Sequence, residues 1–142
     1  MFTTDKKYKK ELKAVIAASW FTVDDATYVY ASVSEVPEPE KHLLVVRDGT
    51  EITVATNSAH LPLPHCLQVN KEKWKLINIR CGNPFYCVGF IASITNALAT
   101  AGIDIVIISS FSNDLILVAE NDLEKAIEVL VKIGFRQANE VT

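Results

Sequence analysis

Long apolar runs are missing from this chain of 142 residues; Ser, Asn, Thr or Asp interrupts each one before the roughly 20 residues that a bilayer-spanning helix needs. Glycine and proline are scarce, at five each, which excludes a collagen-like or low-complexity chain. A single methionine leaves no Met-rich adaptable surface. Three cysteines, Cys66, Cys81 and Cys87, are too few and wrongly spaced for a disulfide framework or a CxxC redox or zinc pair. No sign of charge prevails: 14 Lys and Arg stand against 17 Asp and Glu, a net −3. The basic surface that nucleic acid usually requires is therefore absent. The opening MFTTDKKYKKELK lacks the apolar run and small-residue cleavage site of a signal peptide. The expectation is a cytoplasmic protein with neither membrane nor nucleic acid among its partners.

What is present reads as a soluble globular chain, 49% hydrophobic and 22% charged, with room for one compact domain or two small packed halves. Lys6, Lys7, Lys9, Lys10 and Lys13 surround the polar side of a helical stripe made by Tyr8, Leu12, Val15 and Ile16. Such a run is a solvated helix face in the simplest reading; a helix on a membrane surface or nucleic acid is the alternative. His60, His65 and Cys66 form the one cluster of metal-ligand residue types. Pro62 and Pro64 prevent a helix from bringing the two histidines to one face, so no metal is expected. His42 stands alone.

Helical spacing covers about Lys6 to Ser19, and TYVYASV from Thr27 to Val33 alternates as a strand. After a polar, proline-bearing connector, HLLVVRDGTEITVAT forms two strands around Asp48-Gly49, a strong hairpin signal. Residues Asn57 to Asn70 read as an irregular crossing segment. Trp74 to Cys81 alternates as a strand, and Gly82 to Tyr86 is a loop. The helix that follows carries Ile91, Ile94, Leu98 and Ala101, with Gly102 placed to cap it in a left-handed conformation. Ile103 to Ile108 is β-branched almost throughout, as in a strand covered on both faces or lying at a partner sheet. A turn at Ser112-Asn113-Asp114 leads to the strand Leu115 to Ala119. Asn121 and Glu124 suggest a capping box, and Leu123, Ala126, Ile127, Leu130 and Val131 a helix stripe ended by Gly134. FRQANEVT holds at most a short strand. The order β-α-β-β-α with right-handed crossover predicts an α+β sandwich of the ferredoxin-like kind, both helices on one face. Its other face needs cover from the first half or from a second copy.

Enzyme signatures such as GxSxG, GxxxxGK, GxGxxG and HExxH are absent. No catalytic residue, cofactor or metal is expected. Cys87 at a helix start is the nearest thing to a reactive group, since helix N-termini favour the thiolate, but no histidine is close in sequence to serve as its base. Gly89 stands where loop becomes helix. It either packs the helix tightly on the sheet or lets the first-turn N–H groups around Phe90 and Ile91 meet a small anion.

From Trp74 to Phe135 the sequence resembles the ACT domain, the regulatory ligand-binding module of amino-acid metabolism. Val88-Gly89-Phe90-Ile91-Ala92 resembles the family's turn into its first helix, D-x-P-G-x-L-A, and Ala101-Gly102-Ile103-Asp104-Ile105 its A-G-I-x-I strand entry. Ile108-Ser109-Ser110-Phe111, with Asp114 and Ile116-Leu117-Val118, is similar to a subgroup containing CASTOR-type arginine sensors and short bacterial proteins with tandem ACT-like halves. The first half is similar only loosely, through YVYA and RDGTEITV. The resemblance implies two tandem ACT-like units, an N-terminal half of helix and strands over residues 1–70 and an ACT domain over 71–142. It also implies a homodimer and a small-molecule ligand, an amino acid or related metabolite, at the interface between units. Carried over by position, the ligand-binding residues are Val88, Gly89, Phe90 and Ile91. Asp114 is implied to meet a cationic group, with Ser109 and Ser110 as hydroxyl donors. On the residues alone, Asp114 is equally a turn residue bonded to its own backbone. Val88 replaces the family's usual proline, and Tyr86-Cys87 stands where an acidic residue is usual, so carboxylate recognition is expected to differ. Two other classes compete: an interaction domain without small ligand, docking through Ile103 to Ile108, and an enzyme on a ferredoxin-like scaffold, for which fold alone is no evidence.

Overall fold

The computed structural model describes residues 5–82 and 87–139, with side chains from Lys10 onward. The side chains of Lys6, Lys7, Tyr8 and Lys9, and four residues of the expected loop, 83–86, lie outside that set. By their contacts the described residues form two compact units. One joins those up to Asp24 with those from Leu76 onward; the other is Asp25–Lys75. The first helix therefore belongs with the C-terminal part of the chain, a different partition from a cut in chain order near residue 70.

Helix α1 (Asp5–Ala17) contributes Leu12 and Ile16 to the main core of the first unit, with Val15 packed beside them and Lys10 and Lys13 exposed. Burial of that stripe is what secures a lysine-rich segment as helix. At its end Ser19 Oγ donates to the Val15 carbonyl at 2.6 Å and accepts from Gly82 N at 2.8 Å. Ser19 is 1% exposed, so these bonds satisfy a buried hydroxyl. A Cβ on Gly82 would run into the Ala18 carbonyl group; the strand end and the helix end meet only because position 82 has no side chain.

Strand β1 (Trp20–Val33) is longer than the expected Thr27–Val33. Asp24-Asp25-Ala26 interrupts the pattern, yet pairing holds the strand extended on either side of it. Trp20 and Phe21 pair in parallel with β8 (Arg136–Gln137), and Tyr28 to Val33 pair antiparallel with β3 (Ile52–Asn57).

In the second unit β2 (His42–Arg47) and β3 form the expected hairpin. Its turn is organised by a side chain. Asp48 Oδ1 accepts from Thr50 N at 2.7 Å, Thr50 Oγ1 at 2.9 Å and Glu51 N at 2.9 Å, and Asp48 N donates to the Glu51 carbonyl at 3.1 Å. The segment read as irregular, Asn57 to Asn70, contains a strand, β4 (Cys66–Val69), paired antiparallel with β1. Four residues, mostly exposed, leave too short an alternation to recognise beside prolines. Ala31, Val33 and Val54 form this unit's buried cluster, with Val36, Ile52, Leu63 and Cys66 against it.

The first unit has the β-α-β-β-α order expected: β5 (Trp74–Arg80), α2 (Phe90–Thr100), β6 (Ile105–Ser109), β7 (Asp114–Ala119) and α3 (Leu123–Ile133). Its strand order is β1-β5-β7-β6, with β6 and β7 antiparallel from Ile105↔Val118 to Ser109↔Asp114. Ile77, Ile79, Ile94, Leu98, Ile116, Val118, Ala126 and Leu130 fill the core between the sheet and the two helices. This is the ferredoxin-like α+β sandwich. Gly102 (φ 74°) and Gly134 (φ 120°) end α2 and α3 in the left-handed region, where only glycine is unstrained.

Three local expectations change. Ile105 to Ile108 are each half-buried, so of the two places expected for this run, covered on both faces or at a partner sheet, the first does not hold within the unit. Ile105 and Ile107 pack on the core, and alternation turns Val106 and Ile108 the other way. Asn121 does not cap α3: Glu120–Asp122 forms a 3-10 turn, and Asp122 is the N-cap, without a side-chain cap bond. Val131 is 50% exposed, because the buried line of α3 runs through Ala126 and Leu130.

Candidate functional site

The site begins at the start of α2. Gly89 has φ 84° and is the helix N-cap, so its glycine serves a left-handed turn that aims the helix. Its carbonyl accepts from Ser93 N at 2.8 Å, and Phe90 N donates to the Cys87 carbonyl at 3.1 Å. The amides of Ile91 and Ala92, in the same first turn, have no intrahelical acceptor, and the helix dipole adds partial positive charge there. Phe90 anchors the turn: it is 4% exposed and meets Phe135 edge to face, with centroids 5.6 Å apart. Val88, by contrast, is 79% exposed.

Opposite lies the tip of the β6–β7 hairpin. Ser110 N donates to the Asn113 carbonyl at 2.8 Å, and Asn113 N to Ser110 Oγ at 3.2 Å. Phe111 at the tip is 93% exposed. Register sets Ser109 across from Asp114, and Ser109 Oγ donates to Asp114 Oδ1 at 2.5 Å. Asp114 is thus a strand residue whose carboxylate is oriented from the neighbouring strand.

These two segments enclose a cavity of about 460 Å³, lined by Cys81, Cys87, Val88, Phe90 and Ile91 on one side and by residues Ser109 to Asp114 on the other. Six positions singled out in the sequence, Val88, Phe90, Ile91, Ser109, Ser110 and Asp114, face one space; Gly89 is not on its wall but sets the turn that forms it. The sequence alone does not mark Phe111, Ser112 and Asn113 as lining, and it offers Cys87 only as a reactive group and Cys81 only as the end of a strand. The alternation of β6 and β7 carried into the turn was the signal available. Cys87 Sγ lies 3.9 Å from the Val88 carbonyl. All three histidines of the chain fall in the other unit, so none is within the cavity's own unit to act as its base.

His42 does not stand alone. Its Nε2 lies 2.6 Å from the Pro37 carbonyl and its Nδ1 3.0 Å from Thr56 Oγ1, which is in turn 3.2 Å from His60 Nδ1. A carbonyl only accepts, so Nε2 carries hydrogen. In the neutral ring Nδ1 then receives the Thr56 proton, and His60 donates to the Thr56 oxygen. The chain of bonds satisfies a hydroxyl in a residue that is fully buried, a structural role invisible in the sequence. Among the described residues no group of three or more His, Cys, Asp or Glu is arranged to hold a metal, and no helix is long and apolar enough to cross a membrane.

Residues 69–132 match the family model of the ACT domain. Among solved structures, a Vibrio cholerae protein of unknown function, described as a possible transport protein, superposes with a TM-score of 0.78 at 17% identity, over 89% of this chain and 98% of that one. An Agrobacterium tumefaciens protein follows at 0.72 and 23% identity, over 87% and 95%. The regulatory subunit of aspartate kinase from Thermus thermophilus, in a ligand-free form, gives 0.56 at 10% identity, over 80% and 95%. At such identities the likeness is one of fold. A search of curated proteins returns no match.

Proposed function

We propose that this chain is a regulatory module of the ACT type that binds a small molecule, an amino acid or a close relative, in the cavity between the start of α2 and the β6–β7 hairpin. The observation that carries the reading is one cavity lined on one side by the first turn of α2, at Phe90 and Ile91, and on the other by Asp114, whose carboxylate Ser109 orients. An amino acid has one group for each. The match of residues 69–132 to the ACT family supports it. So does the likeness in fold to a regulatory subunit. Ligand-binding positions are Val88, Gly89, Phe90, Ile91, Ser109, Ser110 and Asp114, with Gly89 acting through the turn.

In this reading the chain works as a homodimer, its two halves in chain order are tandem ACT-like units, and the ligand lies at an interface between units. Val106 and Ile108 on the terminal strand β6 are half-buried apolar residues suited to a second sheet. Regulation follows from differential affinity: a ligand bridging two units favours whichever arrangement holds it better. The test is thermal denaturation of the full chain with each of the twenty amino acids at millimolar concentration. Stabilisation by at least one, abolished in Asp114→Asn, is expected, because binding to the native state must raise stability. No shift with any of them would refute the proposal.

A further inference from the structure

In the second unit two imidazoles share one buried hydroxyl. We propose that His42, Thr56 and His60 form a one-proton switch: the group takes up a single proton with every hydrogen bond kept, and a second proton breaks the bond to His60. Both ring Nδ1 atoms approach Thr56 Oγ1, His42 at 3.0 Å and His60 at 3.2 Å, and His42 Nε2 lies 2.6 Å from the Pro37 carbonyl. With both rings neutral, the Thr56 hydroxyl donates to His42 and accepts from His60. A proton added at His60 Nε2 leaves all of these bonds in place. One added at His42 Nδ1 does so too, because the hydroxyl then turns to donate to His60, which holds its own proton on Nε2.

Two protons cannot be held this way. Each Nδ1 would donate to the one oxygen, and the Thr56 hydroxyl hydrogen would have neither ring left as acceptor. Thr56 is fully buried, so that hydrogen goes unbonded away from water, and two like charges meet across a single atom. His60 is exposed and His42 half-buried, so the first charge settles on His60, where water solvates it. Glu38 and Lys41, on the connector that leads into β2, stand beside the pair. Lys41, 2.8 Å from Glu38, holds the Glu38 carboxyl below its usual range, with smaller contributions from His60 and His42. A carboxylate already paired with Lys41 favours one imidazolium and does not balance two. Thr56 and His42 are held by strand pairing, whereas His60 ends the short turn Ser58–His60, so the bond to His60 is the one that yields.

NMR signals of the imidazole nitrogens in the isotope-labelled full chain test this, followed from about pH 8 to about pH 4, across the range where histidine titrates. His60 is expected to charge first, and His42 in a separate step at least about one pH unit lower. Backbone amide signals of Ser58 to His60 are expected to move in that second step. Thr56→Ser, which keeps the hydroxyl, should preserve the two steps, and Thr56→Val should bring them closer together. His60→Asn, at an exposed position, gives Thr56 an acceptor that carries no charge, so His42 is expected to charge at least about one pH unit higher than in the parent chain. A single step shared by both rings, His42 charging first, turn signals that stay still in the second step, or a His42 step that His60→Asn leaves in place would each overturn the proposal.

Discussion

A single methyl group at position 82 would occupy the space of the Ala18 carbonyl. Gly82→Ala is expected to cost roughly 1–3 kcal/mol, the usual range for overpacking. Gly49→Ala, with nothing within 4 Å of the added atom, should stay within about 0.5 kcal/mol; urea denaturation of the two variants checks the pair. Asp48 offers a test by pH. Hydrogen bonds from the Thr50 and Glu51 amides and the Thr50 hydroxyl hold its carboxyl below its ordinary 3.8. A depressed folded value means stability that is complete above the ordinary value and is lost as pH falls through the folded one. The stability gap between Asp48→Ala and the parent chain should therefore be open at pH 7 and close below about pH 4, measured by thermal denaturation across that range. At this scale the sequence was legible where the cause is local. Gly102 and Gly134 follow their helices directly and have the positive φ their positions suggest. Gly82 was legible only as part of a loop, because its constraint comes from a helix end remote in sequence.

Elements formed by unbroken periodicity were readable; those held by pairing were not. Strands β5 and β7, helix α2 and the β2–β3 hairpin lie close to their expected places. Strand β1 continues through Asp24-Asp25-Ala26 because backbone bonds on both sides, not side-chain pattern, keep it extended. Strand β4 is four residues long and exists through its ladder with β1. On α3 the apolar stripe was drawn one residue too wide. Leu130→Ala, at a position with no exposure, should cost about 2–5 kcal/mol, whereas Val131→Lys, at a half-exposed one, should stay within about 0.5 kcal/mol. Equilibrium unfolding of both variants separates the two faces of the helix.

For the molecule as a whole, the proposed ligand and the proposed dimer give linked expectations. A ligand present at a hundredfold excess over its dissociation constant adds about 2.7 kcal/mol to stability, read as a rise in midpoint in denaturant. If the chain works as a homodimer, sedimentation velocity should show association that weakens in Val106→Lys and Ile108→Lys, while a monomeric profile unchanged by either variant would count against it. By itself the amino-acid sequence determined the β-α-β-β-α order, the glycine stops of its helices and the residue types of the candidate site, because hydrophobic period and backbone tolerance act over a few neighbouring residues. Only the tertiary structure decided that α1 packs with the C-terminal part, that Thr56 links two histidines, and that the α2 turn and the β6–β7 tip face one cavity. Each of those depends on atoms far apart along the chain being brought within a few ångströms, and burial and pairing across the fold do that where local pattern carries no record of it.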